Sequence, residues 1–148
     1  ELQQVMRFSR NHLDYGKVGF FPGIPEALRS LAVDYPLAIV STTPAALIRS
    51  RLEAEGLADR VTHITGGDDG CSEKVSKIHQ TMERLGMDSG AMVGDTPLDI
   101  EAGRRNGLST VAVTYGWCTA ERVRGVAPDR LVEAPGDLET ILRELLPV

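Results

Sequence analysis

Cysteine, positive charge and long apolar runs are all scarce in this chain of 148 residues. Cys71 and Cys118 are the only cysteines and lack the spacing of a metal or redox pair, so they read as ordinary reduced thiols of a cytoplasmic protein. No apolar run approaches the ~20 residues that cross a bilayer, which removes a membrane partner. Lys and Arg number 16 against 21 Asp and Glu and form no stripe, so the net charge of −5 argues against a nucleic-acid partner. His12, His63 and His79 are far apart and carry no ligand spacing. Internal repeats and low-complexity segments are absent.

What is present is a globular composition, 42% hydrophobic and 25% charged, long enough to bury a sizeable core. Short apolar runs alternate with helical patterns. An amphipathic helix is expected over residues 1–15, then an aromatic linker ending at Pro22-Gly23, and a short helix from Pro25 to Ala32. Strands are expected over 36–40, 61–65, 91–93 and 108–114, with a short edge strand at 130–133. Helices are expected from Pro44 to a stop at Gly56, from Lys74 to Leu85, over 120–126, and over 136–146, where Leu138, Ile141, Leu142 and Leu145 make an apolar stripe. Such alternation predicts an α/β fold, a doubly wound, mostly parallel sheet with right-handed crossovers.

Three strand-to-helix junctions carry chemistry, and open α/β sheets place their ligands at the carboxyl ends of such strands. In Ala91-Met92-Val93-Gly94-Asp95 a buried strand delivers a carboxylate. Thr96 suits the N-cap that follows, Pro97 the first helical position, and Asp99 the acid of a capping box. Asp95, free of the cap role, suits a hard cation such as Mg²⁺. Asp99 is divided between capping and function. The strand ending at Val40 runs into Ser41-Thr42-Thr43, whose hydroxyls and N–H groups suit a phosphate oxygen as well as a helix cap. Lys74 opens a helix against the dipole, an arrangement that favours a nearby anion. Lys77, one turn on, reads as a surface charge, and Asp68 and Asp69 as solvated loop carboxylates.

Taken in chain order, these junctions resemble the motifs of the haloacid dehalogenase-like hydrolases, and in particular their phosphoglycolate phosphatase-like members. Ser41 after Leu37-Ala38-Ile39-Val40 matches the second motif, and Lys74 ahead of a helix ending in Leu85-Gly86 the third. Gly94, Asp95 and Asp99 match the fourth, Gly-Asp-x-x-x-Asp, the most specific of them. Phe21-Pro22-Gly23-Ile24 is similar to the family's return from its cap. The resemblance implies residues 1–20 as a remnant of a helical cap and linker, and 21–148 as a Rossmann-like core. It also implies a Mg²⁺-dependent phosphomonoester hydrolase acting on a small phosphorylated metabolite through an aspartyl-phosphate. In that scheme Asp95 and Asp99 serve the metal, Asp99 orients Lys74 or a metal-bound water, and Ser41, Thr42 and Lys74 hold the phosphoryl oxygens.

The departures are as informative. The family's first motif, Asp-x-Asp on the first strand, has no counterpart; Leu13-Asp14-Tyr15-Gly16 has one aspartate and no apolar strand ahead of it. Ser41-Thr42-Thr43 stands where relatives often have Thr-Asn-Lys, and Val75 follows Lys74 where many have proline. The chain is therefore expected to be the C-terminal part of a larger phosphatase, without its first strand and most of its cap, and inactive alone. The missing strand would lie between those ending at Ser41 and Asp95, leaving two apolar edges on a gap. A non-catalytic phosphate- and metal-binding or assembly module and a sugar-phosphate mutase are the alternatives, and a homo-oligomer is open.

Overall fold

The computed structural model of the chain describes residues 19–148. The helix expected over 1–15, and most of the expected cap remnant, lie outside them. The elements in order are α1 (Ile24–Asp34), β1 (Ala38–Val40), α2 (Ala45–Ala54), β2 (His63–Thr65), α3 (Lys74–Leu85), β3 (Ala91–Gly94), α4 (Pro97–Arg105), β4 (Ser109–Val113), α5 (Ala120–Arg124), β5 (Arg130–Val132) and α6 (Leu138–Leu145). Every strand pair is parallel. With helices between successive strands, this is the α/β architecture that the alternation predicts.

The two faces of the sheet are visible in the alternation of β4. Val111 and Val113 pack with Leu31 of α1, Val132 of β5, and Leu138 and Leu142 of α6. Ala112, between them, packs the other way against Ile100 of α4 and Val123 of α5. Period-two alternation thus puts helices on both sides, the doubly wound arrangement. The stripe read in α6 is realised with Leu138 and Leu142 buried and Ile141 and Leu145 packed beside them.

Among the described residues the strands fall into two sheets, β1-β2 and β3-β4-β5. β1 pairs only with β2, and β3 only with β4. Their burial shows the consequence. Val111 and Ala112 of β4 are fully buried, whereas Ala91, Met92 and Val93 of β3 and Ile39 and Val40 of β1 remain half-buried. A cavity of about 690 Å³ separates them, lined by Leu37 to Val40 on one wall and by Gly90 to Val93 on the other, with Leu31 and Leu142 on its floor. Apolar strands of a parallel sheet are normally covered on both faces and paired on both edges, so the cavity is a break in a sheet rather than its natural border.

Boundaries moved where backbone pairing ends earlier than the apolar run. The run at 36–40 forms ladder pairs only from Ala38, and just ahead of them the Leu37 carbonyl accepts from the Thr62 N–H at 2.7 Å. The run at 61–65 pairs only from His63. The helix read from residue 136 begins as a tight turn at Pro135–Asp137 and becomes α-helical at Leu138.

Candidate active site

Asp95 follows the last residue of β3, and the helix after it is capped as the residues predict. Thr96 Oγ1 accepts from the Asp99 N–H at 3.2 Å, and Asp99 Oδ2 accepts in return from the N–H groups of Thr96 and Asp95, each at 3.2 Å. This reciprocal box satisfies donors that a helix start otherwise leaves bare. The other oxygen of the same carboxylate is engaged elsewhere: Lys74 Nζ lies 2.6 Å from Asp99 Oδ1. The pair is largely buried, with side chains 15% and 8% exposed. A lysine in the first turn of α3 thus finds its anion in the first turn of α4, where the α4 dipole favours negative charge.

Asp95 is aligned from the far side of the crevice. The backbone N–H of Trp117 donates to its Oδ2 at 2.7 Å. Such an approach requires a residue without a side chain at 116: a Cβ on Gly116 would fall 2.2 Å from the Asp95 Cβ and 2.4 Å from its Oδ2. The loop after β4 is therefore moulded onto the carboxylate. Oδ1 of Asp95 has no hydrogen-bond or ion-pair partner among the described residues.

Ser41 follows β1. Its N–H donates to the Thr65 carbonyl, continuing the β1-β2 ladder, and its Oγ accepts from the Thr43 N–H at 3.0 Å. Thr43 does not cap α2. Pro44 occupies the N-cap position without a side-chain bond, and the Ala45 N–H is met by Asp68 Oδ1 at 2.9 Å. The 66–69 loop, expected to be merely solvated, therefore closes the start of α2. Asp69 is likewise committed: it accepts from the Cys71 N–H and pairs with Lys77 at 3.0 Å. These bonds, that of the Cys71 N–H first and those of Lys77 after it, hold the Asp69 carboxyl below the usual aspartate range against the opposing effect of burial.

Lys77 is the correction with the widest reach. Read as a surface charge, it is 2% exposed, and its ammonium reaches the carbonyls of Gly66 and Ser41 as well as Asp69. The signal was present in the spacing. Lys74, Lys77 and Thr81 lie at i, i+3 and i+7 of one helix face, and Lys77 and Thr81 are both buried, the Thr81 Oγ1 lying 2.7 Å from Thr65 Oγ1. α3 thus buries a polar stripe beside its apolar one, and attention to the apolar stripe alone hides it.

Asp95, Asp99 and Lys74 thus form one connected group, and Ser41 and Thr42 stand at the end of the neighbouring half-sheet. No group of three or more His, Cys, Asp or Glu that could hold a metal occurs among the described residues. The donors that are present suit a hard cation only in part. Asp95 offers an unengaged carboxylate oxygen, while both oxygens of Asp99 are already bonded. Mg²⁺ commonly takes only one or two carboxylates and completes its octahedron with water and phosphate. Among the described residues no helix is long and apolar enough to cross a membrane, and Cys71 and Cys118 are free thiols.

Known proteins with this pattern form a coherent set. The chain is 30% identical over 148 residues to the phosphoglycolate phosphatase of Escherichia coli, 31% over 129 residues to that of Synechococcus elongatus, and 32% over 127 residues to that of Aquifex aeolicus. The matches take in 92%, 85% and 82% of this chain, but the chain spans only 59%, 60% and 58% of the length of those relatives. Among solved structures, a haloacid dehalogenase-like hydrolase of Streptococcus pneumoniae superposes with a TM-score of 0.82 at 21% identity, over 94% of this chain and 67% of its own. A predicted phosphatase of Clostridium acetobutylicum superposes with a TM-score of 0.77 at 27% identity, over 84% and 60%. The family model described as haloacid dehalogenase-like hydrolase matches residues 2–113, and the chain belongs to that family.

Proposed function

We propose that this chain is the greater part of the core of a Mg²⁺-dependent phosphomonoester hydrolase of the phosphoglycolate phosphatase type. Its nucleophilic aspartate is supplied by sequence outside these 148 residues, and residues 1–20 are what the chain holds of the cap. The observation that carries this reading is the Asp99–Lys74 pair at 2.6 Å, beside Asp95 at the carboxyl end of a parallel strand. Two groups of opposite charge held beside a second carboxylate suit a substrate that brings both a dianion and a metal. The similarity to phosphoglycolate phosphatases at 30–32% identity supports the same substrate class, a small phosphorylated metabolite.

Asp95 would hold the cation through its oxygen that is not engaged by Trp117. When bound, Mg²⁺ offsets the charge that builds on the transferring phosphoryl group. Asp99, with one oxygen on two backbone N–H groups and the other on Lys74, fits an orienting role better than direct ligation. It fixes the ammonium of Lys74, which holds a phosphoryl oxygen. Ser41 and Thr42 bind a second one through hydroxyl and backbone N–H. The reaction through an aspartyl-phosphate then needs an attacking carboxylate between β1 and β3, facing the cavity that separates them.

The test is a phosphomonoester assay with Mg²⁺ on the 148-residue chain and on the chain extended upstream in its coding sequence. The expected result is turnover only by the extended chain, lost on Asp95→Asn. Turnover by the 148 residues alone, or an extended chain without activity toward any phosphomonoester, overturns the proposal.

A further inference from the structure

We propose that Lys77 is a positioning residue that sets the orientation of the Ser41–Thr42 peptide; the inference rests on the phosphate-holding role given above to Ser41 and Thr42.

An ammonium has three protons and no acceptor, so in a dry setting it needs three acceptors. Lys77, whose side chain is 3% exposed, finds them in the Asp69 carboxylate at 3.0 Å, the Gly66 carbonyl, and the Ser41 carbonyl at 3.5 Å. The two carbonyls follow the ends of β1 and β2, which are adjacent strands. One side chain from α3 therefore gathers both strand ends and the loop that leaves β2. That loop in turn braces the turn after β1. The Gly67 N–H donates to the Thr43 carbonyl at 2.8 Å, and Asp68 accepts from the Ala45 N–H. A Cβ on Gly67 would fall 2.0 Å from the Thr42 carbonyl oxygen, so the two segments are in closest contact at the turn.

The consequence lies in the geometry of a single peptide unit. No cis peptide occurs among the described residues, and in a trans peptide the C=O and N–H point in opposite directions. The Ser41 carbonyl and the Thr42 N–H belong to the same unit. With the carbonyl drawn toward the Lys77 ammonium, the Thr42 N–H is turned away from it. Were this peptide to flip, an oxygen lone pair would stand where a donor is needed for a phosphoryl oxygen. Lys77 thereby acts on the phosphate site without touching the phosphate. Its charge is offset by Asp69, so the ammonium holds the peptide without competing for the substrate's anion.

Amide hydrogen exchange of the 148-residue chain, followed over residues 41–43 with and without saturating inorganic phosphate, separates the possibilities. Lys77→Met is expected to raise Thr42 exchange at least tenfold and to remove the protection that phosphate confers on wild type. Thr81→Val breaks the neighbouring buried bond to Thr65 and controls for loosening of α3; it is expected to lower stability and leave both readouts unchanged. Thr42 exchange in Lys77→Met equal to that of wild type overturns the proposal, as does an equal rise in Thr81→Val. If phosphate protects nothing in wild type while Lys77→Met still accelerates Thr42, the phosphate reading fails and the positioning stands. Should Lys77→Met not fold, Asp69→Ala, at the more open end of the same group, is expected to accelerate Thr42 at least threefold, and no acceleration there overturns the proposal.

Discussion

A methyl group added at Gly116 is a sharp test of how Asp95 is held, because it reverses the usual sign of the substitution. The φ of Gly116 lies outside the left-handed region, so alanine meets no backbone strain. Replacing such a glycine normally stabilises by about 0.4–1 kcal/mol through the unfolded chain. Here the new Cβ would stand 2.2 Å from the Cβ of Asp95, while carbon atoms rest at about 3.5–4.0 Å, so the loop or the carboxylate has to retreat by more than about 1 Å. Overpacking of this kind costs about 1–3 kcal/mol. The retreat also breaks the 2.7 Å bond from the Trp117 N–H to a charged acceptor. Because Asp95 is only half-buried, water replaces part of that bond, and about 1 kcal/mol of it is lost. Net of the gain from the unfolded state, Gly116→Ala is expected to destabilise by about 1–3 kcal/mol, roughly 3–10 °C in Tm for a domain of this size. Urea unfolding followed by circular dichroism and by the emission of Trp117, the sole tryptophan, measures both the energy and the displacement. Gly136→Ala, where the methyl meets nothing within 4 Å, is the control and is expected to be neutral or stabilising. A midpoint for Gly116→Ala at or above that of wild type refutes the contact between this loop and Asp95.

Asp129 accepts from both the N–H and the hydroxyl of Thr110, which is 1% exposed. Asp129→Ala is expected to cost about 1–2 kcal/mol in urea unfolding, the lower part of the range for an orphaned buried donor, since Asp129 is itself exposed and water can enter. The Thr110 N–H first, and then its hydroxyl, hold the Asp129 carboxyl below its ordinary value. A depressed folded value gives stability that is complete above the unfolded range near ~3.9 and is lost as pH falls through the lower folded value. The variant should therefore flatten the acid limb of the stability profile below about pH 4, and an unchanged limb counts against the assignment. The half-buried edges of β1 and β3 predict that the 148-residue chain self-associates as its concentration rises, read as a growing weight-average mass in sedimentation. Ile39→Lys should reduce that association, and a wild-type chain that stays monomeric throughout refutes the edge argument.

What was legible in the residues was whatever depends on near neighbours in the chain. The α3 boundaries, the Thr96-Pro97-Asp99 cap and the apolar stripe of α6 follow from local spacing, and each appears where it was read. Lys74 against the helix dipole announced an anion, and Asp99 lies there. Lys77 and Asp68 escape such a reading because these partners are distant in the chain: Ser41 stands 36 residues before Lys77, and Ala45 stands 23 before Asp68, while the reading of Asp69 goes with that of Lys77, with which it pairs. A lysine carries no mark of whether it meets solvent or two strand ends. The N–H of Trp117 on Asp95 was beyond reach for the same reason, though the glycine before it hints at a close approach.

The pair between Lys74 and Asp99 also has a mechanical meaning. Lys74 rides on α3, which packs on the β1-β2 unit, while Asp99 belongs to α4 and the β3-β4-β5 unit. Among the described residues no backbone ladder joins the two units, so the ion pair and the α3-α4 contact are rivets across a seam. The spacing between Ser41 on one plate and Asp95 on the other is then not fixed by any single sheet. It is a gauge set by whatever wedges into the seam, and a segment seated there would tune the reach of the site as well as complete the core.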